Sequence, residues 1–203
     1  MKQKRYAQVG LGARGEMYTQ TLVQTMPASC KLVGLCDINR GRMELCNRNI
    51  RQRWQGQAVP MYADTRFDAM IREQQPDVVV VTTKDCFHDK YIVRAMELGC
   101  DVITEKPMTI DAKKCQRIVD TAEKTGRHVH VTFNYRYSPP RTQVKDLLMK
   151  GIIGEVISVD FHWLLNTSHG ADYFRRWHCG WRLEYSGRCG RQQEHAHRQT
   201  CPA

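Results

Sequence analysis

Short apolar runs alternate with amphipathic stretches along residues 1–133. Between the apolar runs, the spacing of apolar positions predicts helices, the first of which begins at Ala13. Strands alternating with helices at this spacing predict an α/β fold built on a doubly wound parallel sheet with right-handed crossovers. The predicted strands cover 5–10, 31–37, 59–62, 77–83, 101–105 and 128–133, and the helices cover 13–26, a stretch ending at 51, 64–74, 88–98 and 109–124.

Individual residues predict where these helices begin and end. Asp64 and Thr109 precede helical stretches and are expected to be N-caps. Gly99 and Gly126 follow helical stretches, where a left-handed residue commonly ends a helix.

The pattern changes after Phe133. Ser138-Pro139 predicts the start of a helix that ends near Gly151. Residues 155–163 then alternate with period two, which is typical of a half-exposed antiparallel strand. We therefore predict a first domain over 1–133 and part of a second domain over 134–178.

The stretch 179–203 differs from everything before it. It contains no Val, Ile, Met, Phe or Lys, but four Arg, three Cys, three Gly and three Gln. Such a composition buries too little apolar surface to offset its ordering entropy, so we expect a disordered tail. A shifted reading frame or an aberrant terminus is the expected origin.

Composition excludes several classes of protein. The chain has 41% hydrophobic and 26% charged residues, as in soluble globular proteins, and no apolar run long enough to span a bilayer. The N-terminus leads straight into a strand without a signal-peptide core, so we expect a cytoplasmic location. The net charge of +10 comes from scattered basic residues, which does not favour specific nucleic-acid binding. The nine cysteines are irregularly spaced and favour reduced thiols over disulfides.

The cysteines also fail to predict a metal site. Cys179, Cys189 and Cys201, with His195 and His197, match no familiar closed zinc spacing. We therefore predict no bound metal.

A glycine motif follows the first strand. In Gly10-x-Gly12-x-x-Gly15 the first glycine permits a tight turn, the second lets the backbone approach a pyrophosphate, and the third allows close packing of helix on strand. The helix that begins at Ala13 and Arg14 offers unpaired N–H groups and a positive dipole to phosphates. The motif predicts a dinucleotide site.

An acidic residue ends the second strand. Asp37 lies 22 residues beyond Gly15 and can accept hydrogen bonds from ribose hydroxyls, which favours NAD. Arg40 and Arg42 follow closely and could pair with a 2′-phosphate, so NADP stays an alternative.

Further polar residues follow the fourth and fifth strands, at the edge where open α/β sheets bind ligands. Thr82, Thr83 and His88 follow the fourth strand. At Glu105-Lys106-Pro107, the lysine is placed to bind a substrate hydroxyl and carry its proton during hydride transfer, while Glu105 is placed to hold Lys106 or a ribose hydroxyl.

Together these motifs resemble the Gfo/Idh/MocA oxidoreductases over roughly residues 5–178. The resemblance implies a Rossmann domain followed by an α/β domain with a mostly antiparallel sheet. It implies cofactor contacts from the glycine motif and Asp37, with Thr83, His88 and Glu105 on the nicotinamide side and Lys106 as the catalytic lysine. Tyr135 and Arg136 would face substrate, and a complete second domain would imply a homo-oligomer.

The chain departs from the family pattern in two places. Thr82-Thr83-Lys84 stands where the family often has Thr-Pro-Asn, and no Asp-x-x-x-His pair follows Asp160.

We expect an NAD(P)-dependent oxidoreductase that transfers a hydride between the nicotinamide and a sugar, polyol or related hydroxylated substrate. Two alternatives are an NAD-dependent glycoside hydrolase of the same family and a catalytically impaired dinucleotide-binding protein.

Overall fold

The computed structural model describes residues 3–162 and 164. They fall into two compact units that divide between Tyr135 and Arg136. The predicted tail over 179–203, and the cysteines and histidines within it, lie outside the described residues.

The first unit contains one parallel sheet of six strands in the order β3-β2-β1-β4-β5-β6. This arrangement confirms the predicted doubly wound sheet. The third strand begins later than predicted, after Pro60. The strands are β1 Lys4–Val9, β2 Cys30–Asp37, β3 Met61–Ala63, β4 Val78–Val81, β5 Asp101–Glu105 and β6 Val129–Thr132.

Helices cover both faces of the sheet. Alternate residues of β4 point to opposite faces, so Val79 and Val81 pack in one apolar cluster and Val80 in the other. All four valines of β4 are buried, which is why this strand is a continuous apolar run. The helices of this unit are α1 Ala13–Gln20, α2 Arg40–Gln52, α3 Phe67–Gln74, α4 His88–Glu97 and α5 Ala112–Thr125.

The predicted first helix is shorter as an α-helix than the sequence pattern indicated. After Gln20 the chain continues as a π-helical turn over Thr21–Thr25. The helical stretch therefore keeps nearly its predicted length but not its predicted geometry.

Two predicted N-caps are wrong. Asp64 is the first residue of a short 3₁₀ turn, Asp64–Arg66, and the N-cap of α3 is Arg66. Asp111, not Thr109, caps α5, accepting a hydrogen bond from the Lys114 N–H at 2.9 Å. In the first place a 3₁₀ turn precedes the α-helix, and in the second the α-helix begins only at Ala112; neither feature has a signature in apolar periodicity.

The predicted C-terminal glycines are confirmed. Gly99 and Gly126 have φ of +88° and +65°. Both therefore adopt the left-handed conformation that favours glycine after a helix.

The described part of the second unit contains one helix, α6 (Pro139–Met149), which begins after Ser138 as predicted. The antiparallel strand predicted over 155–163 is wrong for 155–162, where the structure has no strand; Trp163 lies outside the described residues. A strand requires a hydrogen-bonded neighbour. Here Ile157 and Val159 are exposed, so the alternating side chains lie against no sheet within the described residues.

Among the described residues, no helix is both long enough and apolar enough to cross a membrane.

Candidate dinucleotide-binding site

Four neighbouring parallel strands deliver the predicted site residues to one edge of the sheet. Gly10, Asp37, Thr82 and Lys106 lie at or just beyond the carboxyl ends of β1, β2, β4 and β5. These strands lie side by side in the order β2-β1-β4-β5, and the strand order reverses at β1. Ligands of open α/β sheets bind in the crevice at such a reversal.

Gly10 makes the turn that the motif predicts. Its φ is +85°, and a Cβ there would lie 2.5 Å from the Thr83 main-chain nitrogen and 2.7 Å from the Thr82 oxygen. The Thr82 hydroxyl donates to the Gly10 carbonyl at 2.5 Å and so ties this turn to the end of β4. Thr82 is buried and therefore holds the turn in place.

The other two glycines differ in how closely other atoms surround them. A Cβ on Gly15 would lie 2.8 Å from both the Gln8 Nε2 and the Gly10 oxygen, so glycine permits the close packing of α1 on β1. A Cβ on Gly12 would meet nothing within 4 Å. The space beside Gly12 therefore lies open next to the first N–H groups of α1, which begins at Ala13. Open space at a helix N-terminus fits a pyrophosphate.

Asp37 is buried at the end of β2. Its Oδ2 accepts a hydrogen bond from the Leu11 main-chain N–H at 2.6 Å, and its Oδ1 accepts one from the Asn39 N–H at 2.8 Å. The carboxylate thereby connects the glycine turn to the start of α2. Arg40 lies one residue beyond Asn39, and its exposed guanidinium pairs with Glu44 at 2.9 Å.

Replacing the Asp37 carboxylate should shift preference from NADH toward NADPH. In Asp37→Ser we expect the ratio of the two dissociation constants to move by about tenfold, because the group that repels a 2′-phosphate is gone. Fluorescence titration with both reduced cofactors measures this ratio. Asp120→Ser, which alters an exposed carboxylate on α5, is the matched control. An unchanged ratio in Asp37→Ser would mean that this carboxylate does not face the ribose.

His88 joins the loops that follow β4 and β5. The ring is almost fully buried; its Nδ1 lies 3.0 Å from the Pro107 carbonyl and its Nε2 lies 3.0 Å from the Thr83 carbonyl. These contacts place Thr83 and the residue after Lys106 on opposite sides of one imidazole. The contact of His88 with a cofactor stays a prediction, whereas its contact with both loops is direct.

The Glu105 carboxylate accepts hydrogen bonds at both of its oxygens. Its Oε1 accepts hydrogen bonds from the Arg14 Nε at 2.7 Å and from the Tyr18 hydroxyl at 2.9 Å. Its Oε2 accepts one from the Lys106 main-chain N–H at 3.1 Å. The carboxylate therefore joins α1 to the peptide of the predicted catalytic lysine.

Sequence analysis missed Tyr18. The residue lies one helical turn after Arg14, and its spacing alone gave it no distinction from a core aromatic. In the structure its hydroxyl also lies 2.5 Å from the Thr132 hydroxyl on β6. Burial, with a smaller contribution from the nearby Glu105 carboxylate, raises the pKa of the Tyr18 phenol to about 12, so the phenol stays a proton donor at neutral pH.

Lys106 itself is partly exposed, as a group that must reach a substrate requires. Tyr135 ends the first unit and is about half exposed. In the second unit the Arg136 guanidinium lies 5.8 Å from the centre of the Tyr137 ring. The substrate contacts of Tyr135 and Arg136 stay predictions.

Among the residues that the structure describes, no cluster of three or more His, Cys, Asp or Glu could hold a metal ion.

A glycine turn at the point where strand order reverses, with an acidic residue after the adjoining strand, defines a Rossmann dinucleotide-binding domain. Residues 4–133 match the model of the Gfo/Idh/MocA oxidoreductase family, described as having an NAD-binding Rossmann fold. The chain belongs to this family. The family, the fold and the cofactor NAD predicted from the motifs are thus confirmed.

Relatives with assigned names extend the comparison. The chain is 36% identical over 169 residues to YteT of Bacillus subtilis, whose name assigns it provisionally to the oxidoreductases; the match covers 83% of this chain and 39% of YteT. It is 29% identical over 153 residues to an inositol 2-dehydrogenase/D-chiro-inositol 3-dehydrogenase of Lactiplantibacillus plantarum, covering 75% of this chain and 41% of that protein. The chain thus spans about two fifths of the length of these relatives.

A solved structure shares the fold. Myo-inositol 2-dehydrogenase from Lactobacillus plantarum superimposes with a TM-score of 0.66 at 24% identity, over 76% of this chain and 43% of that one. At this identity the likeness establishes the fold.

Proposed function

We propose that this chain is the NAD-binding part of an oxidoreductase that transfers a hydride between the nicotinamide and a sugar, polyol or related hydroxylated substrate. The observation that carries the proposal is the connection of Glu105 to both the glycine-turn helix and the Lys106 peptide. This connection brings the cofactor-binding elements and a lysine together at one edge of the sheet.

Each group at this edge has a distinct part in the proposed reaction. The turn at Gly10–Gly12 and the N-terminus of α1 hold the pyrophosphate, and Asp37 holds the adenosine ribose. NAD, when bound, supplies the hydride acceptor. Lys106 binds the substrate hydroxyl and takes its proton as the carbon–hydrogen bond breaks. Glu105 keeps the main chain at Lys106 fixed, so that the amine meets the substrate from a constant position.

The substrate class is argued from the relatives. Beside the dehydrogenase above, an inositol 2-dehydrogenase of Salmonella paratyphi B is 27% identical over 152 residues. Polyols and sugars share secondary hydroxyl groups, and a partly exposed lysine amine can bind such groups.

A second candidate function is glycoside cleavage with a retained cofactor. An alpha-N-acetylgalactosaminidase of Bacteroides fragilis is 28% identical over 185 residues, which cover 90% of this chain. An enzyme of this type would oxidise its substrate transiently, eliminate the leaving group, add water to the unsaturated intermediate and return the hydride, with no net formation of NADH.

A two-arm assay separates these functions. In one arm the chain is incubated with NAD and a panel of inositols and aldoses, and NADH is followed by its absorbance. In the other arm it is incubated with chromogenic glycosides, without added NAD. NADH formation in the first arm supports the dehydrogenase, whereas release of the chromophore without NADH supports the hydrolase. NADH binding without turnover in either arm would leave a dinucleotide-binding protein and overturn the proposal.

A further inference from the structure

Two side chains of α1 hold the same oxygen atom at the far end of the site. Arg14 and Tyr18 both donate to Oε1 of Glu105, at 2.7 and 2.9 Å. Glu105 is buried, whereas the Arg14 side chain is 43% exposed. A buried carboxylate is costly unless it is paired and hydrogen-bonded, so these two donors stabilise its position.

The Tyr18 hydroxyl is itself fixed from a second direction. It lies 2.5 Å from the Thr132 hydroxyl, whose single proton can go either to the phenol oxygen or to the Thr104 carbonyl at 3.0 Å. The phenol thus connects α1 with β5 and β6 at the level of Glu105. Because the phenol holds a single proton, that proton serves either Glu105 or Thr132, and the carboxylate is the stronger acceptor.

Glu105 in turn contacts the main chain of Lys106. Its second oxygen accepts the N–H of Lys106 at 3.1 Å, which fixes the peptide that carries the lysine side chain. The Tyr18 hydroxyl therefore limits the position of the carboxylate that contacts both Arg14 on α1 and the Lys106 main chain. Phenylalanine at position 18 would fill the same space as the half-buried Tyr18 ring, so packing alone does not require the hydroxyl.

We propose that Tyr18 is a positioning residue for the nicotinamide half of the site, acting through Glu105 on the main chain at Lys106. This inference rests on the proposed function, which assigns Glu105 and Lys106 to that half. It requires that loss of the hydroxyl affects ligands that reach Glu105 and spares ligands that bind only at the glycine turn and Asp37.

Two ligands of different reach test this requirement. NADH contains both halves of the dinucleotide, whereas ADP has the adenosine and both phosphates but no nicotinamide riboside. For Tyr18→Phe in the full chain we expect the dissociation constant for NADH to rise about fivefold, and that for ADP to stay within about twofold of wild type. Titration calorimetry measures both.

Tyr62 offers a matched control. Its hydroxyl donates to Glu73 at 2.8 Å, and Arg66 pairs with the same carboxylate at 3.0 Å, so the same three residue types meet on β3, the following 3₁₀ turn and α3. Tyr62→Phe removes an equivalent hydrogen bond outside the site and should leave both dissociation constants unchanged. Glu105→Gln, which keeps the shape but removes the charge that Arg14 pairs with, should reproduce the selective loss of NADH affinity.

Each result of these titrations either supports or overturns the inference. Equal weakening of ADP and NADH in Tyr18→Phe would show a general structural role and overturn the inference, as would unchanged binding of both. Wild-type chain that does not bind NADH would overturn the proposed function and the inference with it. A loss confined to NADH in both Tyr18→Phe and Glu105→Gln supports it.

Discussion

Lys106→Met is expected to lower turnover by about three orders of magnitude while leaving NADH affinity within about twofold of wild type. Methionine keeps most of the aliphatic length of lysine but cannot bind or carry a proton. The main-chain N–H of residue 106, which Glu105 accepts at 3.1 Å, is the same in both proteins. The peptide should therefore stay in place, so that the proton-transfer step alone is lost. Turnover with the most active substrate of the panel and NADH titration measure the two quantities.

The control for this prediction is a lysine with no place in the site. Lys113 is exposed in the first turn of α5, and Lys113→Met should retain full turnover. If Lys106→Met instead kept wild-type turnover, Lys106 would not be the proton carrier. Loss of turnover together with loss of NADH affinity would place Lys106 in cofactor binding.

Gly10→Ala is expected to destabilise the fold by about 2–5 kcal/mol and to abolish NADH binding. A left-handed conformation costs a non-glycine residue about 1–2 kcal/mol, and forcing extra atoms into a packed site typically costs about 1–3 kcal/mol more. Here the added Cβ would lie 2.5 Å from a main-chain nitrogen and 2.6 Å from a main-chain carbon of the loop after β4. Neither atom can move without displacing the end of that strand. Denaturant unfolding and NADH titration measure the two effects.

Gly12→Ala separates binding from stability. Gly12 has φ of −73°, which alanine adopts without strain, and the added Cβ would meet nothing within 4 Å. We expect unfolding free energy within about 0.5 kcal/mol of wild type but NADH affinity lower by at least about tenfold, because the methyl group fills the space open to the pyrophosphate. Unchanged affinity in Gly12→Ala would place the phosphates elsewhere.

Periodicity predicted the sheet correctly because it reflects burial. A strand buried on both faces must be apolar at nearly every position, and the four valines of β4 are. The same reasoning failed at residues 155–162, where a period-two pattern requires a neighbouring strand that the described residues do not contain. The N-cap expected at Thr109 is instead Asp111, two residues later, whose carboxylate accepts the Lys114 N–H.

Most of the candidate cofactor-binding residues can be predicted from the sequence alone. The glycine spacing, Asp37 at the end of a strand, and Glu105-Lys106-Pro107 at the end of another are local patterns, and parallel strands bring their carboxyl ends to one edge in any fold of this class. The residue type and its position at the end of a strand are enough to propose a role for each of these residues.

The connections between these residues depend on the folded chain. Tyr18 and Glu105 are 87 positions apart in sequence, and Arg14 and Glu105 are 91 apart, so no spacing rule relates them. No sequence pattern places the buried His88 ring between two main-chain carbonyls. Residue types and local periods set the fold and the candidate groups; which side chains share a hydrogen bond follows from the packing of α1, α4 and the strands between them.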